Sequence, residues 1–462
     1  MDLLAIYARY GVSYAMNHKP ISVGMVSLGC PKNLVDSEIM LGLLKTSKYR
    51  VASDMNDCDV ALINTCAFIE DSRKESIDSI LELAELKKRG KIKGLIVCGC
   101  LPQKYYKSLK EGISEIDAMV GTGDYSKIDE IVDSVLKGDK VSRVEDTRFI
   151  YDHSAPRFSL TPPHFRYVKV GEGCDHRCTF CIIPQLRGDY RSRPLESIET
   201  EIRRLVSEGM KEANLISQDT SYYGRDLGGQ YLLPALLNKL NAIEGLGWVR
   251  LLYNHPFHMT DEILEAMAGL EKICKYIDIP LQHISDRMLK SMKRGILKDK
   301  TVPLIERMRA KIPDLTIRTT FIVGYPGETD EDFRELYDFA ADAKFERLGV
   351  FTYSRGDDEG AKLADQIPEK IKIERRKTIM ELQQKISLEH NRKLAGKRMK
   401  VLVDREEPSG RFVGRTYRDA PEIDGQVFIR KPVSGKITAG EFYNVEIKSA
   451  MEYDLTGEFV MP

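Results

Sequence analysis

The chain has 462 residues, 30% of them charged and 42% hydrophobic, with 70 Lys plus Arg against 70 Asp plus Glu. That length accommodates several separate cores, and zero formal charge excludes a surface devoted to nonspecific nucleic-acid binding, though not a local basic patch. No run of about 18 apolar residues is present, which excludes a helical membrane span, and nine cysteines without a recognisable secretory leader read as a reduced, cytoplasmic protein rather than a disulfide scaffold.

Residues 1–20 read as an extension ahead of the first strand, with Met16 an alternative start. Three apolar runs follow, 21–30 ending at Cys30, 59–66 ending at Cys66 and 94–100 ending at Cys100. Helical patterns separate them, one near Val35–Thr46 and one with Ile77, Ile80, Leu81 and Ala84 on a single face. This β-α-β-α-β alternation predicts an open parallel α/β sheet over residues 21–138. Ligands bind at the carboxyl edge of such a sheet. Cys30, Cys66 and Cys100 share that topological position although 36 and 34 residues separate them, which points to a metal cluster. Cys58, Cys98 and Cys274 fit the commoner fate of a buried small apolar residue.

Residues 139–160 read as a linker, and 161–396 as six strand–helix alternations. The strands fall near Phe165–Val170, Ala213–Gln218, Trp248–Tyr253, Tyr276–Leu281, Thr316–Val323 and Leu348–Tyr353, and a helix such as Leu195–Ser207 follows most of them. Six β/α units predict a partial barrel, open on one side, with its chemistry in the loops at the carboxyl ends of the strands. There, after the first strand, Cys174, Cys178 and Cys181 form a C-x3-C-x2-C triplet. A structural zinc site uses four protein ligands. No fourth cysteine follows closely, and His176 is wedged between two of the three. Three thiolates on a four-iron cluster leave one iron open to a substrate or cofactor. Phe180, next to Cys181, is placed to lie against a bound ring.

A charged helix over Pro368–Leu394 leads to short strands near Met399–Val403, Phe412–Tyr417, Gln426–Arg430, Tyr443–Ser449 and Leu455–Val460. They predict a small antiparallel β-barrel over 397–462, OB-like, of the kind that binds polymers. Residues 401–462 hold eight Lys or Arg and eleven Asp or Glu, a balance of −3 that suits a basic protein partner better than RNA.

Ser27-Leu-Gly-Cys-Pro-Lys-Asn with Asp36-Ser-Glu, Asn64-Thr-Cys66 and Cys98-Gly-Cys100-Leu-Pro-Gln resemble the N-terminal domain of the methylthiotransferases. The Cys174 triplet resembles their radical S-adenosylmethionine (SAM) core, and residues 397–462 their TRAM domain. The resemblance implies that Cys174, Cys178 and Cys181 hold a 4Fe-4S cluster that binds SAM, and that Cys30, Cys66 and Cys100 hold an auxiliary 4Fe-4S cluster, also with an open iron. It makes Gln218, Gly324, Pro326 and Tyr353, at strand ends, candidates for SAM contacts beside Phe180, and assigns no catalytic residue beyond the cluster ligands. Gly29-Cys-Pro-Lys-Asn33 and Ser217-Gln-Asp-Thr220 resemble the branch that methylthiolates the β-carbon of an aspartate in ribosomal protein S-twelve of the small subunit, alone or within the ribosome. An unidentified electron donor is implied as well. Two other readings stay open, the same chemistry on an adenosine of tRNA and a two-cluster electron carrier, which has no need of either barrel.

Overall fold

The computed structural model describes residues 20–145, 147–356, 358–431 and 435–460. The extension expected over 1–20 therefore lies, but for its last residue, outside the described residues.

The first sheet contains β1 (Ser22–Ser27), β2 (Arg50–Val51), β3 (Val60–Thr65), β4 (Gly94–Gly99), β5 (Ala118–Val120) and β6 (Val141–Arg143). Their order is β2-β1-β3-β4-β5-β6, parallel throughout. Helices α1 (Pro31–Thr46), α2 (Glu70–Lys88), α3 (Cys100–Gly112) and α4 (Ile128–Leu136) cover its faces. Every residue of β3 and β4 is buried, because helices pack on both sides. That is why these strands read as unbroken apolar runs rather than alternating ones. The sheet has six strands where three were expected. β2, β5 and β6 span two or three residues each, too few to leave a periodic signal. β6 falls inside the stretch expected to be the linker.

The second sheet carries β7 (Phe165–Lys169), β10 (Glu212–Ile216), β11 (Trp248–Leu251), β12 (Ile273–Asp278), β13 (Thr316–Val323) and β14 (Arg347–Thr352), with a two-residue ribbon of β8 (Gly171–Glu172) and β9 (Arg191–Ser192) beside it. Its order is β14-β13-β12-β11-β10-β7, all parallel, the topology of a half-barrel. Its helices are α5 (Ile183–Arg187), α6 (Leu195–Ser207), α7 (Leu233–Asn241), α8 (Asp261–Gly269), α9 (Asp286–Ser291), α10 (Lys298–Lys311), α11 (Asp330–Ala343) and α12 (Glu369–Arg392). The strands alternate. Val168, Leu215, Val249, Leu251 and Ile277 pack under the outer helices, whereas Tyr167, Ile216, Trp248 and Tyr276 face inward.

That inner face is covered by the other two units. The small barrel, β15 (Arg398–Glu406), β16 (Phe412–Arg415), β17 (Val427–Arg430), β18 (Phe442–Ala450) and β19 (Leu455–Phe459), is closed in the order β15-β16-β17-β19-β18. Four of its pairings are antiparallel, and β17 with β19 is parallel. It is bolted to the half-barrel by buried pairs, Arg415 to Glu212 at 2.7 Å and Arg347 to Asp419 at 2.5 Å. Phe442 packs on Trp248 with ring centroids 4.7 Å apart. The connection between the two sheets is also pinned. Buried Arg157 pairs with Glu38 of α1 and, at 2.8 Å, with Glu201 of α6. Among the described residues no helix is long and apolar enough to cross a membrane.

Candidate functional site

The carboxyl edge of the first sheet meets the carboxyl rim of the half-barrel. Cys30 follows β1 and is the residue before α1, Cys66 follows β3, and Cys100 opens α3 after β4. Gly29, with φ at +88°, turns the chain out of β1, and a Cβ there would stand 2.8 Å from Cβ of Cys66. Only glycine lets the two loops approach so closely. Asn33 locks the loops further, its amide donating to the carbonyls of Leu28 at 3.2 Å and Thr65 at 2.9 Å. Asn64 returns a donor to Asn33 O at 2.8 Å. Burial pushes the Cys66 thiol up, with Cys30 adding to the shift, and pushes Cys100 up to about 12 against the pull of Arg187.

Cys174, Cys178 and Cys181 lie in the loop after β8. The loop is held by Cys174 N–H to Gly188 O at 3.0 Å and Thr179 N–H to Met292 O at 3.1 Å. Burial and the mutual proximity of the thiols push Cys174 and Cys181 up to about 12. Arg294 donates to Sγ of Cys178 at 3.7 Å. The remaining cysteines, Cys58, Cys98 and Cys274, sit inside apolar clusters.

Arg187 links the helix that follows Cys181 to the other triplet. It ends α5, six residues after Cys181, and its guanidinium reaches Sγ of Cys100 at 3.8 Å and Oδ1 of Asn33 at 2.5 Å. The same group bonds Glu172 at 2.9 Å and Asp36 at 3.2 Å, and Lys169 meets both acids at 2.5 Å. Burial alone would raise the Glu172 carboxyl, but Arg187 and Lys169 hold it well below the usual carboxylate range. Gln218 completes the chain by donating to Glu172 at 2.6 Å.

Along the barrel rim, successive strand ends leave buried polar atoms unmatched. They are Oε1 of Gln218 after β10, Oδ1 of Asn254 and Nε2 of His255 after β11, and Oε1 of Gln282 after β12. Buried polar atoms are normally satisfied, so this row fits a polar ligand lying across the rim. Tyr253 and Gln282 there have φ of 61° and 73°, a left-handed strain that persists where surrounding bonds fix it. Tyr253 N–H donates to Asp278 at 2.9 Å, and its carbonyl accepts from Thr220 N–H at 2.9 Å.

Next to Cys174 a cavity of about 350 Å3 opens, lined in part by Asp219, Tyr222, Phe257 and Arg294. Asp219 accepts from His176 at 2.9 Å and His258 at 2.7 Å. Burial would raise its carboxyl, yet those two bonds hold it well below the usual range. The His255 ring stacks on that of His176, centroids 3.8 Å apart. Nδ1 of His255 accepts from Phe257 N–H at 3.2 Å, which leaves Nε2 to carry the proton of the neutral ring. This His–Asp group was not foreseen. No spacing links residues 176, 219, 255 and 258, and the one available signal was that each follows a barrel strand.

The other expected SAM contacts divide by environment. Phe180 packs with Met288, Met292, Tyr325 and Tyr353. The Tyr353 hydroxyl donates to Asp358 at 2.6 Å. Gly324 and Pro326 shape the turn from β13 to α11, and a side chain at Gly324 would strike Lys372 of α12. Of the five candidates, Gln218 presents an unmatched atom to the rim.

Three family models match in the order of the three units: the Uncharacterized protein family UPF0004 over residues 22–121, the Radical SAM superfamily over 168–340 and the TRAM domain over 395–460. Among solved structures, the radical SAM methyltransferase TsrM from Kitasatospora setae shares the fold, with a TM-score of 0.56, 15% identity and 73% of each chain covered. Curated relatives extend over nearly the whole length. Proteins named "Ribosomal protein uS12 methylthiotransferase RimO" match at 49% identity in Desulforamulus reducens (95% of this chain, 99% of that one). Those of Pelotomaculum thermopropionicum and Geobacter sulfurreducens match at 47% and 44%, each over 96% of this chain and 100% of the relative. By that end-to-end likeness and the three matched modules, the chain belongs to the RimO family of radical SAM methylthiotransferases.

Proposed function

We propose that this chain adds a methylthio group to the β-carbon of an aspartate in ribosomal protein uS12. The observation that carries the reading is the 49% identity, over 95% of this chain and 99% of the relative, to a protein named for that activity. As a radical SAM enzyme the chain uses SAM and iron–sulfur chemistry. When bound, a reduced iron–sulfur cluster with SAM supplies the radical chemistry that an unactivated C–H bond demands and no side-chain base provides.

The residues supply position and environment. Cys174, Cys178 and Cys181 would hold the cluster that meets SAM, and Cys30, Cys66 and Cys100 an auxiliary one. Both donor sets are all-thiol and largely buried, which suits iron–sulfur ligation. The N–H donors that Arg294 and Arg187 aim at Cys178 and Cys100 would stabilise sulfur-borne negative charge. Gln218, Asn254 and Gln282 offer unmatched acceptors for the amino and hydroxyl groups of SAM, and His255 offers a donor. Phe180, Gly324, Pro326 and Tyr353 would shape the wall behind them. An electron donor must dock from outside.

The barrel's charge no longer argues for a basic partner. Asp419 and Asp424 are buried against the half-barrel, and the exposed Glu406 and half-buried Glu407 are paired with Lys431 and Arg411. The substrate assignment therefore rests on the family. Deleting the gene should leave uS12 lighter by one methylthio group in mass spectra of ribosomal proteins. An unchanged uS12, with tRNA losing a methylthiolated adenosine, would overturn it.

A further inference from the structure

We infer that Lys32 binds the side-chain carboxylate of the substrate aspartate, an inference that rests on the uS12 reading above. Lys32 stands in the first turn of α1, two residues after Cys30, and is 7% exposed. Among the described residues it makes no ion pair and no hydrogen bond; its ammonium lies 2.8 Å from the centroid of the Tyr253 ring. A ring face attracts a cation but does not replace the hydration and hydrogen bonds that burial removes.

The acids around it are already matched. Asp36 and Glu172 are shared by Lys169 and Arg187. Asp278 accepts from Arg318 at 2.9 Å and from the backbone N–H of Tyr253. Arg318 is itself shared with Asp424 at 3.4 Å, and none of these acids bonds Lys32, so of the four bases here Lys32 alone lacks a bonded anion among the described residues. The cation sits between the element that carries Cys30 and the rim that carries His255 and Gln282. Its platform is built with care, since Tyr253 is held in a left-handed conformation by bonds on both sides of its peptide unit.

A bonded anion is what Lys32 lacks. In aspartate the carboxylate is bonded directly to the β-carbon, so gripping it fixes the carbon that is to receive the methylthio group. An adenosine base offers no such group. The competing explanation is that Lys32 balances the thiolates of the neighbouring triplet. The two explanations predict different behaviour toward substrates.

The test is a two-by-two binding experiment on reconstituted protein with SAM but no reductant, so that nothing turns over. Wild type and Lys32→Gln are titrated with uS12 bearing aspartate or asparagine at the modified position, and iron content is measured to check that each protein is assembled. Wild type should prefer the aspartate form by about ten- to a hundredfold, the worth of a buried charge-assisted hydrogen bond. Lys32→Gln should bind both forms alike, near the wild-type affinity for asparagine. Equal loss for both forms in the variant, or a preference that survives in it, would overturn the inference. So would a wild type that binds uS12 yet does not distinguish the two, a result that needs no variant. In each of those three cases the uS12 reading survives, whereas wild type that fails to bind uS12 at all removes the reading and the inference together.

Discussion

At the scale of single residues, the two cysteine triplets occupy separate loops. Each is buried in its own loops, and Arg187 touches one while standing six residues beyond the other. Reconstituted under anaerobic conditions, the wild-type protein should therefore carry about eight irons, and a variant with Cys174, Cys178 and Cys181 all changed to alanine about four, if each site takes a four-iron cluster. Iron analysis checks this, and loss of all iron in the triple variant would show the sites to be interdependent. Cys30, Cys66 and Cys100 were legible in the sequence because each ends an apolar run, which marks a strand end, and Cys174, Cys178 and Cys181 through their C-x3-C-x2-C spacing after the first barrel strand. Lys32 and Arg187 were not legible. Their meaning depends on which acids surround them, and those acids come from residues 36, 172 and 278, brought together only by docking of the two sheets. Tyr353 and Gly324 were placed on the rim by strand position, but position does not tell where a hydroxyl or an N–H finds its partner.

Among the elements, α11 shows how a local rule and a tertiary contact combine at the edge of the site. Thr329 and Asp332 form a reciprocal capping box at its start, and Asp332 also accepts from Ser285 at 2.6 Å and pairs with Arg287 of α9. Burial would raise the Asp332 carboxyl, but these donors hold it at about 2. A carboxyl depressed in the folded state stabilises above its unfolded value near 4, and that contribution is lost as pH falls through about 2. Asp332→Ala should cost roughly 2 kcal/mol at neutral pH, read as reduced hydrogen-exchange protection across α11. The difference in thermal midpoint between wild type and variant should narrow as pH drops from about 4 to about 2; a gap that stays constant would assign the loss to packing alone. Sequence patterns found such elements where one face is apolar over several turns, as in α6. They missed β2, β5 and β6 because two- and three-residue strands gain their order from neighbours rather than from their own pattern.

On the scale of the whole molecule, the half-barrel is a stage whose open side is filled by the other two units. The first sheet brings Cys30, Cys66 and Cys100 to the rim, and the small barrel seals the inner face through Arg415, Arg347 and Phe442. Module order was readable from the change of texture along the chain, from apolar runs to β/α alternation to short strands. How the modules face one another was not, because buried pairs such as Arg157 with Glu38 and Glu201 join residues more than 40 positions apart. One cysteine triplet stands at the carboxyl edge of the first sheet and the other in a loop of the half-barrel, and a division of labour between them is expected. The most direct test incubates reconstituted wild type and a Cys66→Ala variant with SAM, a sulfide source, a reductant, uS12 and tRNA, and follows SAM cleavage together with the masses of both substrates. Wild type should cleave SAM and shift uS12 by one methylthio group while tRNA stays unchanged; Cys66→Ala should cleave SAM and leave uS12 unmodified. Methylthiolated tRNA beside unaltered uS12, or methylthiolated uS12 from the Cys66→Ala enzyme, would contradict the account.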